Sequence, residues 1–255
     1  MGAVCIVIFY SAGGELAGAL ECMKEKISNG RISVVWLYAC VLFLACGASA
    51  EEKAEVVKAS RVVLFYGDSL TAGYGIDSAQ AFPALIQARL DSLGWNYEAV
   101  NAGLSGETSA GGLRRVNWIL RRSVDVFVLE LGANDGLRGI APHSTAGNLQ
   151  GIIDKVKEKY PQVAIVVVGM EMPPNMGPDY TAAFRDLFPK LAKDNAAALV
   201  PFLLEGVALV PELNLPDGNH PTPAGHQILA DNVWQVLKPL LAARVELAVE
   251  GAEGD

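Results

Sequence analysis

The sequence predicts an α/β fold, a parallel sheet wrapped by helices. Short apolar, β-branched runs alternate along the chain with segments of helical period. Polar, glycine-rich stretches follow directly on several of those apolar runs. The 255 residues are 51% hydrophobic and 19% charged, a composition that can bury a sizeable core and is neither disordered nor fibrous.

Arg61 to Tyr66 reads as the first buried strand, ended by Gly67. Phe82 to Leu93 is a helix with Phe82, Leu85, Ile86, Leu90 and Leu93 on one face. Tyr97 to Val100 is the second strand, and residues 108–121 form a helix after a loop rich in Gly and Ser. Val124 to Leu131 is strongly β-branched and apolar, as a central strand should be. Thr145 to Tyr160 is a helix stopped by Pro161, and Ala164 to Val168 is the fourth strand. Phe184 to Ala197 is helical, Leu199 to Leu203 is the fifth strand, and Pro223 to Leu241 closes the fold. Pro223 stands near that helix start, where its missing N–H costs nothing. One domain is thus expected over 61–242, after an acidic linker at 51–60 and before a frayed tail at 243–255.

Residues 1–50 read as an export segment. Lys24, Lys26 and Arg31 precede an apolar run from Ile32 to Ala45, followed by small residues and then Glu51-Glu52-Lys53, the order of a secretory signal. The run is shorter than the ~20 residues that span a bilayer. Two kinds of processing are open. Ala48-Ser49-Ala50 offers a cleavage site that would release a soluble protein from Glu51, whereas Phe43-Leu44-Ala45-Cys46-Gly47 resembles a bacterial lipoprotein signal that would lipidate Cys46 and anchor the protein to a membrane. The expected location is accordingly the periplasm, or the cell envelope through a lipid anchor. Met23, followed by Lys24-Glu25-Lys26, would make a conventional start for such a signal.

Several function classes are excluded. A net charge of −8 argues against a nucleic-acid binder, which needs clustered Lys and Arg. The one basic cluster, Arg114, Arg115, Arg121 and Arg122, falls at helical spacing and reads as a solvated helix face. Cys5, Cys22, Cys40 and Cys46 all precede the domain, so it has no disulfide framework, thiolate cage or cysteine nucleophile. His143, His220 and His226 are too scattered for a zinc site.

In open α/β sheets ligands bind outside the carboxyl ends of the strands. That rule selects the loops beginning at Gly67, Asn101, Gly132, Met170 and Leu204, and the loop before the last helix, which contains Asp217-Gly218-Asn219-His220-Pro221. A serine hydroxyl is a poor nucleophile until a base takes its proton, and the base needs a partner that fixes its tautomer. Asp217 and His220, three apart in a turn broken by Gly218 and Pro221, can meet each other and leave one ring nitrogen for Ser69. The backbone N–H groups of Ser69 and Gly106 and the amide of Asn134 are candidate donors to an oxyanion. Plainer roles compete. Ser69 alone could be a helix cap, Asp68 a local turn residue, and His143 and His226 structural or surface histidines. The stretch from Gly103 to Gly112 lacks the Gly-Lys-Ser/Thr ending of a phosphate loop.

Gly67-Asp68-Ser69-Leu70, Gly106 within Ser105-Gly106-Glu107-Thr108-Ser109, Asn134 within Gly132-Ala133-Asn134-Asp135, and Asp217 with His220 stand in order across residues 61–240. Together they resemble the four blocks of the SGNH, or GDSL-type, hydrolase family. The longer strings around them resemble its periplasmic acyl-CoA thioesterase, lysophospholipase and arylesterase group. Ala133 stands where glycine is common and Glu107 where aspartate is common. The resemblance implies a flavodoxin-like three-layer α/β/α sandwich with a five-stranded parallel sheet, and no metal or organic cofactor.

The function expected is hydrolysis of carboxylic esters or thioesters through an acyl-enzyme on Ser69, by a monomer acting on a small-molecule acyl substrate. Met170, Met172, Pro173 and Met176 are expected to form an adaptable apolar wall for the acyl chain. A carbohydrate O-acetyl esterase is the alternative enzyme. A non-catalytic envelope lipoprotein that binds lipid or sugar is the alternative outside enzymology.

Overall fold

The computed structural model describes residues 60–253, with side chains to Glu246. The export segment, Cys46 and the linker up to residue 59 lie outside the described residues. Five parallel strands, β1 (Arg61–Gly67), β2 (Tyr97–Asn101), β3 (Val126–Glu130), β4 (Ala164–Val168) and β5 (Ala198–Val200), form one sheet in the order β2-β1-β3-β4-β5. Helices α1 (Ser69–Ala72), α2 (Phe82–Ser92), α3 (Ser109–Ile119), α4 (Ala133–Leu137), α5 (Pro142–Lys159), α6 (Pro178–Asp194) and α7 (Pro223–Glu253) connect and cover it. One helical layer is α2 against α7, and the other is α3, α5 and α6 in series, which makes the predicted three-layer sandwich.

β1 and β3 are covered on both faces, which is why they read as unbroken apolar runs rather than alternations. Phe65 of β1 packs edge-on against Phe82 of α2, Tyr66 of β1 lies against Phe127 of β3, and Phe184 and Phe188 of α6 join the same buried core. The chain winds outward from β1 to β2 and then returns to lay β3 on the other side of β1, so strand order reverses between β1 and β3. Their register pairs Gly67 with Glu130, bringing the loops after these strands side by side at the switch point where such sheets bind ligands.

Four boundaries differ from expectation for identifiable reasons. β5 ends at Val200 because Pro201 has no N–H for the ladder, so Phe202 and Leu203 leave the sheet. Helices α5 and α6 begin at Pro142 and Pro178, each proline in the first turn, ahead of the apolar residues that set the predicted starts. The segment read as a frayed tail is instead the continuation of α7 to Glu253. Its first part is tied down: Arg61 Nη1 donates to the Arg244 carbonyl at 2.8 Å, Arg244 Nη2 donates to the Gln162 carbonyl at 2.9 Å, and Val245 packs against the core.

Candidate active site

Ser69 is positioned by the end of β1. Asp68 caps the one-turn helix α1, its Oδ1 accepting from Leu70 N at 3.0 Å, and Gly73 closes the turn in the left-handed conformation at φ 76° while its N–H donates to the Ser69 carbonyl. Ser69 therefore stands at the first helical position, at the sheet's switch point. Only glycine fits before this turn: a Cβ on Gly67 would lie 2.0 Å from Thr71 Oγ1 and 2.5 Å from Glu130 Oε2.

The loop before α7 brings the histidine over. Leu215 N donates to the His220 carbonyl at 2.7 Å, Asn214 bridges to Pro221, and Gly218 turns the chain at φ 71°. Asp217 Oδ1 accepts from Asn219 N at 2.9 Å and His220 N at 3.0 Å, while Oδ2 meets His220 Nδ1 at 2.7 Å. His220 Nε2 lies 2.9 Å from Ser69 Oγ. The Asn219 backbone N–H first, and then the His220 ring, hold the Asp217 carboxyl down at about 2, so it is a carboxylate throughout the neutral range. A carboxylate can only accept, so Nδ1 carries the ring proton and Nε2 is free to receive one from Ser69. The Tyr74 ring, 4.5 Å from the His220 ring between centroids, flanks the imidazole.

Asn134 ties together the two segments that carry the other candidate oxyanion donors. The amides of Ser69 and Gly106 donate to no acceptor among the described residues. Asn134, on α4, aims Nδ2 at the Glu107 carbonyl at 3.0 Å and at Asp68 Oδ2 at 3.2 Å. The loop carrying Gly106 is tied to this block from below: Asp135, fully buried, accepts from Ser109 N at 2.8 Å and Ser109 Oγ at 2.5 Å. A serine hydroxyl held 2.9 Å from an imidazole nitrogen free to take its proton is equipped to attack an acyl carbonyl. Among the described residues no group of three or more His, Cys, Asp or Glu side chains is placed to hold a metal ion.

Several expected roles change. Arg115 does not belong to a solvated face: its Nε meets Glu107 Oε2 at 2.6 Å, its Nη2 donates to the carbonyls of Ala102 and Gly67, and its guanidinium lies 4.3 Å from the Tyr66 ring centroid. Arg122 pairs with Glu98. Met170 and Met172 are buried in the core, at 5% and 8% exposure, so they cannot wall a substrate path; Met176 is half-buried against that core and Pro173 is exposed. For Met172 the room is left by Gly136, where a Cβ would stand 2.1 Å from the Met172 Sδ. His226 is a core histidine, its Nδ1 accepting from Phe82 N at 3.2 Å; burial pushes it down to about 4, so it is neutral. His143 is exposed in the first turn of α5.

Sequence reasoning missed the roles of Glu130, Tyr74, Asp135 and Arg115. A charged residue closing the apolar run of β3 was a visible sign for Glu130; the others depend on loop packing. Burial raises the Glu130 carboxyl well above its ordinary range, with the Asp68 charge adding to this, and burial pushes Asp68 up to about 6.

Residues 65–228 match the GDSL-like lipase/acylhydrolase family. The chain is 43% identical over 184 residues to esterase TesA of Pseudomonas aeruginosa, covering 72% of this chain and 90% of that one. It is 38% identical over 184 residues to thioesterase 1/protease 1/lysophospholipase L1 of Escherichia coli, covering 72% and 86%. The crystal structure of TesA superposes with a TM-score of 0.68 at 42% identity, covering 71% of this chain and 99% of that one. The chain belongs to the GDSL-like lipase/acylhydrolase family and is a hydrolase of carboxylic esters.

Proposed function

We propose that the protein hydrolyses acyl esters and thioesters through an acyl-enzyme on Ser69. The observation that carries this reading is the unbroken chain from Asp217 Oδ2 through the His220 ring to Ser69 Oγ, at 2.7 and 2.9 Å. His220 Nε2 takes the hydroxyl proton as Ser69 attacks the carbonyl carbon, and Asp217 stabilises the imidazolium that forms. The amides of Ser69 and Gly106 receive the oxyanion, and Asn134 Nδ2 joins them by exchanging its hydrogen bond to the Glu107 carbonyl for one to the oxyanion while keeping that to Asp68. His220 then protonates the departing alkoxide or thiolate, and in the second half-reaction it deprotonates the water that releases the acid.

Three half-exposed apolar side chains, Tyr74, Leu104 and Leu137, sit on the loops that carry Ser69, Gly106 and Asn134. They, rather than the methionine loop, offer an acyl chain its contact surface. The thioesterase and lysophospholipase named among the relatives support substrates of this kind. The test is hydrolysis of p-nitrophenyl esters from acetate to palmitate, and of acyl-CoA thioesters, by the parent and by Ser69→Ala. Serine-dependent turnover that persists at medium and long chains supports the reading. Acetate-only activity would move the assignment to carbohydrate deacetylation, and equal rates in parent and variant would refute it.

Export belongs to the same proposal and rests on the order of charge, apolar run and small residues over residues 24–53. The mass of the mature amino terminus distinguishes release at Glu51 from a lipidated Cys46. Among the described residues no helix is long and apolar enough to cross a membrane.

A further inference from the structure

Two buried carboxyl groups take no part in the chain from Asp217 to Ser69. Asp68 and Glu130 are 1% and 2% exposed, at the carboxyl ends of the adjacent strands β1 and β3. Glu130 Oε2 accepts from Thr71 Oγ1 at 2.7 Å and from the backbone N of Asp68 at 3.3 Å, which sets the two buried acidic residues against each other. The charged groups around them are engaged elsewhere: Arg115 with Glu107 and two carbonyls, Asp135 with Ser109, and His220 with Asp217 and Ser69. Two carboxylates buried side by side without a cation between them cannot both be ionised, so the pair holds one proton. Asp68 already accepts from Leu70 N with one oxygen and from Asn134 Nδ2 with the other, so the proton resides on Glu130.

The amide of Asn134 has two nearly isosteric orientations, and only its neighbours decide which edge faces the substrate. With Nδ2 between Asp68 Oδ2 and the Glu107 carbonyl, the turned orientation would set Oδ1 against two acceptors. This holds only while Asp68 is an acceptor. Without a donor at position 130, buried Asp68 would take up a proton itself, and it could then donate to Oδ1 of a turned amide. We propose that Glu130 is a positioning residue for the oxyanion hole: as a neutral acid it donates to Asp68, keeps Asp68 an acceptor, and thereby holds Nδ2 of Asn134 toward the developing oxyanion.

The inference rests on the assignment of Asn134 to that hole, and the test separates the two. The full chain and its Asn134→Ala, Glu130→Leu, Glu130→Gln and doubly substituted Asn134→Ala/Glu130→Leu variants are compared on one p-nitrophenyl ester, with thermal melts to establish folding. Asn134→Ala should lower kcat roughly 100-fold. Glu130→Leu should lower kcat about 10- to 100-fold with KM little changed, while Glu130→Gln, which can donate to Asp68 and accept from Thr71, stays within about threefold of the parent. The double variant should be no slower than Asn134→Ala, because both substitutions remove the same interaction. A role confined to stability would give neither the rescue nor this coupling. Parent-like kcat in Glu130→Leu, equal losses in the Leu and Gln variants, or losses that multiply in the double variant would overturn the inference while leaving the oxyanion hole intact. A parent-like Asn134→Ala would overturn the oxyanion assignment and the inference with it. If Glu130→Leu does not fold, Asp68→Asn replaces it in the cycle with the same expected coupling.

Discussion

Replacing Asp217 by Asn tests the chemistry at its most specific point. The carboxylate accepts three hydrogen bonds, two from backbone amides on Oδ1 and one from His220 Nδ1 on Oδ2. An asparagine can keep the two backbone bonds with its oxygen, so the loop should survive, but its NH2 then faces Nδ1 and demands an acceptor there. The ring proton moves to Nε2, which points at Ser69 Oγ from 2.9 Å, and the base is lost. By analogy with the same exchange in a serine protease, the expected loss in kcat is about 10³- to 10⁴-fold, or about 4–5.5 kcal/mol of transition-state stabilisation. Asp217→Ala should be milder by about tenfold: the Asp217 side chain is 39% exposed, so water can enter and accept from Nδ1, leaving the productive tautomer available. Steady-state hydrolysis of one activated ester near neutral pH, with a thermal melt of each variant, is sufficient. An Asn variant faster than the Ala variant, or either at the parent's rate, would refute the tautomer argument.

Gly67→Ala should destabilise the domain by about 1–3 kcal/mol in a denaturant melt, because the new Cβ meets Thr71 and Glu130, whose side chains are already hydrogen-bonded. Arg115→Ala should cost about 3 kcal/mol, since it strands the Glu107 carboxylate, 9% exposed, and frees two carbonyls; a variant within the error of the parent would show the clamp to be dispensable. His226→Leu leaves the Phe82 amide without its acceptor and should cost about 1–3 kcal/mol at neutral pH. The same variant should flatten the pH dependence of Tm. His226 is held down to about 4, so the unfolded chain takes up the proton first, and its contribution is present above 6.5 and lost as pH falls from there toward 4. Asp68 and Glu130, raised in the fold, act in the opposite sense over that range, so the difference between parent and variant is the quantity to measure.

Much of this was legible in the chain. The strands β1, β3 and β4 stand where apolar runs announced them, because a strand buried on both faces tolerates few polar residues at any phase. The short helices α1 and α4 escaped detection, since four or five residues carry no helical period; they form because Asp68 caps one and the strand exit at Gly132 starts the other. The methionine loop shows the opposite failure. Its composition suited a substrate wall, but whether an apolar side chain faces a cleft or the core depends on what packs opposite, and for Met172 that is Gly136.

Ser69, Asp217 and His220 could be named from the sequence because local rules bear on them: a glycine before a capped turn, and an acid three residues ahead of a histidine in a broken loop. What no local rule reaches is the strand order. Laying β3 beside β1, with Gly67 opposite Glu130, is a consequence of the crossovers, and it alone puts Asn134 next to Asp68 and buries two carboxyl groups in one place. Position along the chain determined which groups can do the chemistry. The tertiary fold determined which of them share a proton, because burial and proximity, unlike residue type, are properties of the packed molecule.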